Sequence, residues 1–192
     1  MTWHYPSTIT SATSTYTAWT TTGQLIEGDF DQLKTVQPLS SISVNLSGST
    51  SSKDANPPAV VEIRDEIRYQ RTAPLILTGF GLNVSGTITG IEVDIVAQRN
   101  NRISDWDIRL VYQGDKIGSN QKQKIERNDR DQPGYTPNTV RYGSSTSTWG
   151  ADVTDSVVNS AQFGISIEMT SHPITPHRDT AYIDGVRMRI FT

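Results

Sequence analysis

Few residues in this chain have the type and spacing that chemistry needs. Its three histidines do not converge: His172 and His177 lie five apart across two prolines, and His4 is remote. Clustered oxygens at Asn128, Asp129 and Asp131 suggest calcium, but an EF-hand loop needs a central glycine and a distal glutamate. Here Pro133-Gly134 follows instead, so a polar turn is the better reading. Glu62 and Glu66 could form an acid–base pair, yet they alternate with Arg64 and Arg68 as a solvated strand face does. Serines abound without a G-x-S-x-G elbow, so no Ser–His–acid triad is indicated. Asp105/Asp107 and Asp129/Asp131 supply carboxylates for glycan cleavage only by proximity in sequence. The chain is therefore expected to have no catalytic residues, no metal site and no cofactor, and not to be an enzyme.

Composition agrees. The chain has 192 residues, no cysteine and a net charge of -3 from 17 basic and 20 acidic side chains. Absence of cysteine excludes a disulfide scaffold and thiolate chemistry. The near-balanced charge gives no electrostatic footprint for nucleic acid. A chain of this size buries roughly 70% of its unfolded surface and needs no covalent staples. The N-terminus MTWHYPSTIT has neither a basic start nor an apolar core, so it does not read as a secretory signal. No apolar run approaches the ~20 residues of a membrane helix. The expected site of synthesis is the cytoplasm, and the sequons at Asn45 and Asn83 read as chance.

The elements that could position a site are strands. Leu75–Ala97 organises the pattern: two apolar segments joined by a Gly/Ser/Thr turn, read as a hairpin, with Asn100-Asn101 as the following turn. In the second segment Ile91, Val93, Ile95 and Ala97 share one parity and Glu92 and Asp94 the other, the period of a half-buried strand. The same alternation appears at Ile42/Val44/Leu46, at Val61/Ile63/Ile67/Tyr69 and at Trp106/Ile108/Leu110/Tyr112, which puts Trp106 in the core. Phe163/Ile165/Ile167/Met169 alternate likewise, and Ser171–Arg178 reads as a loop between hairpin partners. In the last strand Ala181 and Ile183 occupy one parity, and Val186, Met188 and Ile190 the other. A β-bulge at Gly185 would reset the register, with Arg187 and Arg189 outward. Asp152 or Thr154 could cap one helical turn. Residues 47–58 and 121–138 are polar loops.

This pattern predicts an all-β fold: an antiparallel, jelly-roll-like β-sandwich of about eight to nine strands with at most one short helix. Residues 1–30 form a Ser/Thr-rich aromatic arm or early strands, and 31–192 the sandwich. Trp3, Tyr5, Tyr16 and Trp19 are the arm's anchors, and two readings stand: the arm lies over its own sandwich, or it reaches a neighbouring subunit.

Five segments carry a resemblance: LTGFGLNVSGTITGIEVDIV (77–96), WDIRLVYQGDKIG (106–118), YGSSTSTWG (142–150), NSAQFGISI (159–167) and YIDGVRMRI (182–190). In this order they resemble a family of tailed-bacteriophage virion proteins, whose members are head decoration or cement proteins, head fibres or tail-fibre domains. The match covers residues 75–192, with weaker similarity at YTAW (16–19) and GDF (28–30); the 47–74 and 121–138 stretches depart from it. The resemblance implies a non-enzymatic virion structural protein. Because the chain is one domain without a repetitive shaft, capsid decoration is favoured, with the major capsid protein and itself, as a homotrimer, for partners, and the capsid surface as location. The alternative is a receptor-binding head of a tail fibre or spike that contacts host surface glycan through Trp149 and Asp152.

Overall fold

Period 2 over residues 90–99 produces the strand it predicts, with Ile91, Val93, Ile95 and Ala97 buried on one face. The structure, a computed structural model, describes residues 2–11, 42–47, 70–99, 103–123, 138–171 and 178–192. Among them are ten strands: β1 (Thr8–Ser11), β2 (Ile42–Ser47), β3 (Gln70–Arg71), β4 (Leu75–Thr78), β5 (Gly90–Arg99), β6 (Ile103–Tyr112), β7 (Asp115–Ile117), β8 (Asn138–Ser144), β9 (Phe163–Ser171) and β10 (Arg178–Phe191). One helical turn, α1 (Asp155–Val158), starts where Thr154 accepts a hydrogen bond from the Val157 N–H, as its N-cap chemistry predicts.

The strands form two antiparallel sheets. One has the order β2-β10-β5-β8; the other has β1-β4-β9-β6-β7, with β3 also on β9. β3 and β4 lie along the same partner, Gln70 opposite Ser171 and Leu75 opposite Ile167, and act as two halves of one strand. Counted so, and with β1 set aside, eight strands remain. Their order is first-eighth-third-sixth in one sheet and second-seventh-fourth-fifth in the other, the jelly-roll order. Between the sheets lies one core, with Leu75, Leu77, Ile108, Leu110, Ile165 and Ile167 from one side. Ile91, Val93, Ile95, Ile183, Val186 and Met188 come from the other.

This connectivity corrects three expectations. The 75–97 stretch is not a hairpin: β4 and β5 belong to different sheets, and 79–89 crosses between them with Phe80, Leu82 and Ile88 buried. A jelly roll passes from sheet to sheet at nearly every connection, and glycine punctuation marks a crossover as readily as a hairpin. β9 and β10 are likewise in opposite sheets and are not hairpin partners. Third, β6 carries a bulge between Asp105 and Asp107. The extra residue is Trp106, which is half-buried beside the Lys122 ammonium, 5.2 Å from its ring centroid, and does not enter the core. The bulge at Gly185 occurs as expected, between Ile183 and Gly185. Residues 61–69, the Asn100-Asn101 turn, most of the 47–58 and 121–138 loops, and 172–177 fall outside the described residues.

Candidate functional site

The outward face of β5 was expected to be wet, yet Glu92 is 8% exposed and Asp94 0%. Register explains it. Asp94 stands opposite Arg187 of β10 and Arg141 of β8, and Glu92 opposite Arg189. Arg141 donates to both Asp94 oxygens, Nε to Oδ1 at 2.8 Å and Nη2 to Oδ2 at 3.0 Å. Arg187 adds Nε and Nη2 to Oδ2 at 3.2 and 3.0 Å. Arg189 Nε donates to Glu92 Oε2 at 2.8 Å. The Arg141 guanidinium is held above its usual range, mainly by the hydrogen bond to Asp94.

Trp3 lies over this lattice. Its ring centroid is 4.3 Å from the Arg187 guanidinium carbon, 4.4 Å from that of Arg189 and 5.4 Å from that of Arg141. Guanidinium planes neutralised by carboxylates still offer an electron-poor face to an indole. His4 follows in a two-bond bridge to Met188, N–H to carbonyl at 2.8 Å in each direction. Four residues later β1 pairs with β4 of the opposite sheet, Thr8 against Thr78 through Ser11 against Leu75. Residues 3–11 thus join one side of both sheets. Tyr5, between the two attachments, is 38% exposed, the one large hydrophobic residue so exposed among those described. Tyr16 and Trp19 lie outside them.

On the outer face of the other sheet, Lys116 of β7 bridges Asp107 and Glu168, which stand directly opposite each other on β6 and β9. Burial lowers the Lys116 pKa, but its bonds to Asp107 and Glu168 outweigh this and leave it raised. On β9, Ser166 and Thr170 flank Glu168, and their buried hydroxyls find no hydrogen-bond partner among the described residues. The β6 bulge turns Asp105 the other way: its Oδ2 accepts from the buried Tyr142 hydroxyl at 2.7 Å and from the Gln123 N–H at 3.2 Å. Asp105 and Asp107 therefore point to opposite faces and do not flank a common bond. No cluster of three metal-ligating side chains occurs among the described residues. Glu62, Glu66, Asp129, Asp131, His172 and His177 lie outside them.

Trp149 is corrected as a glycan platform. It is 1% exposed, and its indole N–H donates to the Ile91 carbonyl at 2.9 Å. Gly143, at φ 79°, makes room: a Cβ there would meet Ile91 O at 2.1 Å and Trp149 Nε1 at 2.3 Å. The Ile91 N–H donates to Ser147 O at 2.9 Å and the Ser119 N–H to Trp149 O at 2.6 Å. Buried so, the ring presents no face to a sugar; Asp152 is exposed beside it in sequence, without its aromatic partner. Three of the five resemblance segments meet here, so their glycines and tryptophan serve the fold.

The arginine–carboxylate lattice escaped sequence reasoning. The alternating charges of Glu92/Asp94 and Arg187/Arg189 were visible, but which strands are neighbours was not. No family model, curated protein or solved structure matches the chain.

Proposed function

We propose that this chain is a non-enzymatic structural protein of a tailed-bacteriophage particle that decorates the outside of the head and stabilises it. The observation that carries the reading is how the resemblance segments sit in the sandwich. They occupy β5, β6–β7, the Tyr142–Gly150 turn, β9 and β10 in the order of the jelly roll, an architecture that recurs in viral capsid domains. That support is analogy at the level of fold and motif order. Ion pairs occupy the outer faces around Glu92/Asp94 and around Asp107/Glu168, and the reading assigns the capsid contact to the arm. Tyr5, exposed between two anchored points, is the described aromatic best placed to meet the major capsid protein. Its ring brings large area at little rotamer cost. A homotrimer fits a particle surface with local threefold axes.

The test is cosedimentation of the purified chain with heads that lack it. Saturable binding and raised resistance of the heads to heat would support decoration, and Tyr5→Ala should weaken binding. Failure to bind heads while binding host cell envelopes would favour the receptor-binding alternative.

A further inference from the structure

We infer that the outer edge of β1 docks a second copy of itself, antiparallel about a two-fold axis through Ile9, so that two sandwiches share one continuous sheet. β1 ends its sheet, with β4 on its inner side. The Ser7 N–H donates to Gly79 O at 3.1 Å, and Thr8 stands opposite Thr78. Antiparallel ladders alternate, so Ser7, Ile9 and Ser11 turn their backbone groups toward β4, and Thr8 and Thr10 turn theirs away. Those outward groups have no partner among the described residues, and both threonines are exposed.

Edges that stay unpaired are protected by charge, proline or a bulge. The other edges whose side chains are described have such protection. β7 is short and carries Asp115 and Lys116. β8 presents the exposed Arg141, whose carbonyl already accepts from Gln123 Nε2 at 2.7 Å. β1, Thr-Ile-Thr-Ser, contains no charge, proline or bulge, and its β-branched residues favour a strand.

The strand that fits this edge is its own copy. Opposed residues in one sheet must face the same side, and the free backbone groups sit at Thr8 and Thr10. Both conditions are met when Ile9 stands opposite the second copy's Ile9. Thr8 then exchanges N–H to carbonyl bonds with the second copy's Thr10, and Thr10 with its Thr8. On the solvent side threonine faces threonine, a favourable cross-strand pair. On the other side Ile9, packed against the core, meets its copy. Self-pairing of an uncharged strand brings no like charges together. Pro6, which has no N–H to donate, ends the seam on one side. Such an isologous contact uses the same edge in both chains and closes at two copies. It is separate from the threefold contact proposed above, and Tyr5 lies outside it.

The inference does not rest on the virion reading and is tested on the purified chain, which has no native cysteine. So short a seam falls well below the ~800 Å² per partner of a stable complex; the dimer is weak, and a covalent trap reads it. Chains with Thr8→Cys and chains with Thr10→Cys are mixed at high concentration and oxidised. Both positions are exposed, so these variants keep the fold. Paired edges predict a mixed dimer linked 8–10 by peptide mapping. Its yield should exceed that of Thr8→Cys mixed with Asp152→Cys on the order of tenfold, because only in-register positions hold two Cβ atoms at bridging distance. Ile9→Cys, opposite its own copy on the axis, should link to itself. Adding Thr8→Lys and Thr10→Lys sets lysine against lysine and should return that yield to the control's. An 8–10 yield no higher than the control overturns the inference, and so does a 9–9 link undiminished by the lysines.

Discussion

Trp149 and Ile91, 58 residues apart in sequence, are joined by an indole N–H to carbonyl hydrogen bond of 2.9 Å inside the core. The bond ties the turn after β8 to β5, and Gly143 provides the space for it. Trp149→Phe keeps most of the apolar volume but orphans the Ile91 carbonyl. A buried acceptor left unpaired costs about 1–3 kcal/mol. Urea unfolding should show that loss, with Trp149→Ala reaching about 3–5 kcal/mol as a cavity is added.

Gly143 and Gly114 share positive φ, 79° and 90°, but only Gly143 has neighbours where a Cβ would go. Gly114→Ala should lower stability by about 1–2 kcal/mol, the cost of the left-handed conformation. Gly143→Ala should cost considerably more, because backbone and indole must move as well. Equal losses in denaturant titrations would refute this view of the turn.

Asp94 carries two arginines on a fully buried carboxylate. Asp94→Ala removes the buried carboxylate that both guanidiniums share and should destabilise by about 3 kcal/mol, the lower end for a broken buried pair because Arg141 is half-exposed and also lies 3.8 Å from Glu92. Trp3→Ala should cost about 1 kcal/mol through the lost stack. Both are read from thermal or urea unfolding.

Thr170 lies in the opposite situation, its hydroxyl buried with no hydrogen-bond partner among the described residues. Thr170→Val removes the unpaired group at nearly constant shape, so stability should hold or rise by about 1 kcal/mol. A clear loss would mean that the hydroxyl has a partner.

Lys116 sets an alkaline limit. Its pKa is raised above the ordinary 10.5 on folding, so the folded chain holds this proton more tightly than the unfolded one. The stabilisation is complete below about pH 10.5 and fades as pH rises through the higher folded value. Lys116→Met should flatten the fall in stability above that pH, measured by urea unfolding in an alkaline series. An unchanged slope would exclude the bridge as its source.

Much of the fold was legible because one-face burial writes itself as period 2. The parities at Ile91–Ala97 and Phe163–Met169, the switch at Gly185 and the Thr154 cap are local properties. What stayed hidden was non-local. Glycines between β4 and β5 mark a crossover that sequence cannot distinguish from a hairpin, and one extra residue at Trp106 reversed the facing of Asp105. Glu92 and Asp94 looked solvated because their arginine partners lie up to 97 positions away. Trp149 followed a polar stretch and looked exposed, whereas the left-handed backbone at Gly143 lets it turn inward. Of the arm's four aromatics the structure places Trp3 on the chain's own sandwich and Tyr5 at the surface.

Immunogold electron microscopy of phage particles with antibody to this chain tests the proposed role most directly. Head decoration predicts gold distributed over the capsid shell, absent from the tail. Gold confined to tail tip or fibres, or particles that carry none, would contradict it.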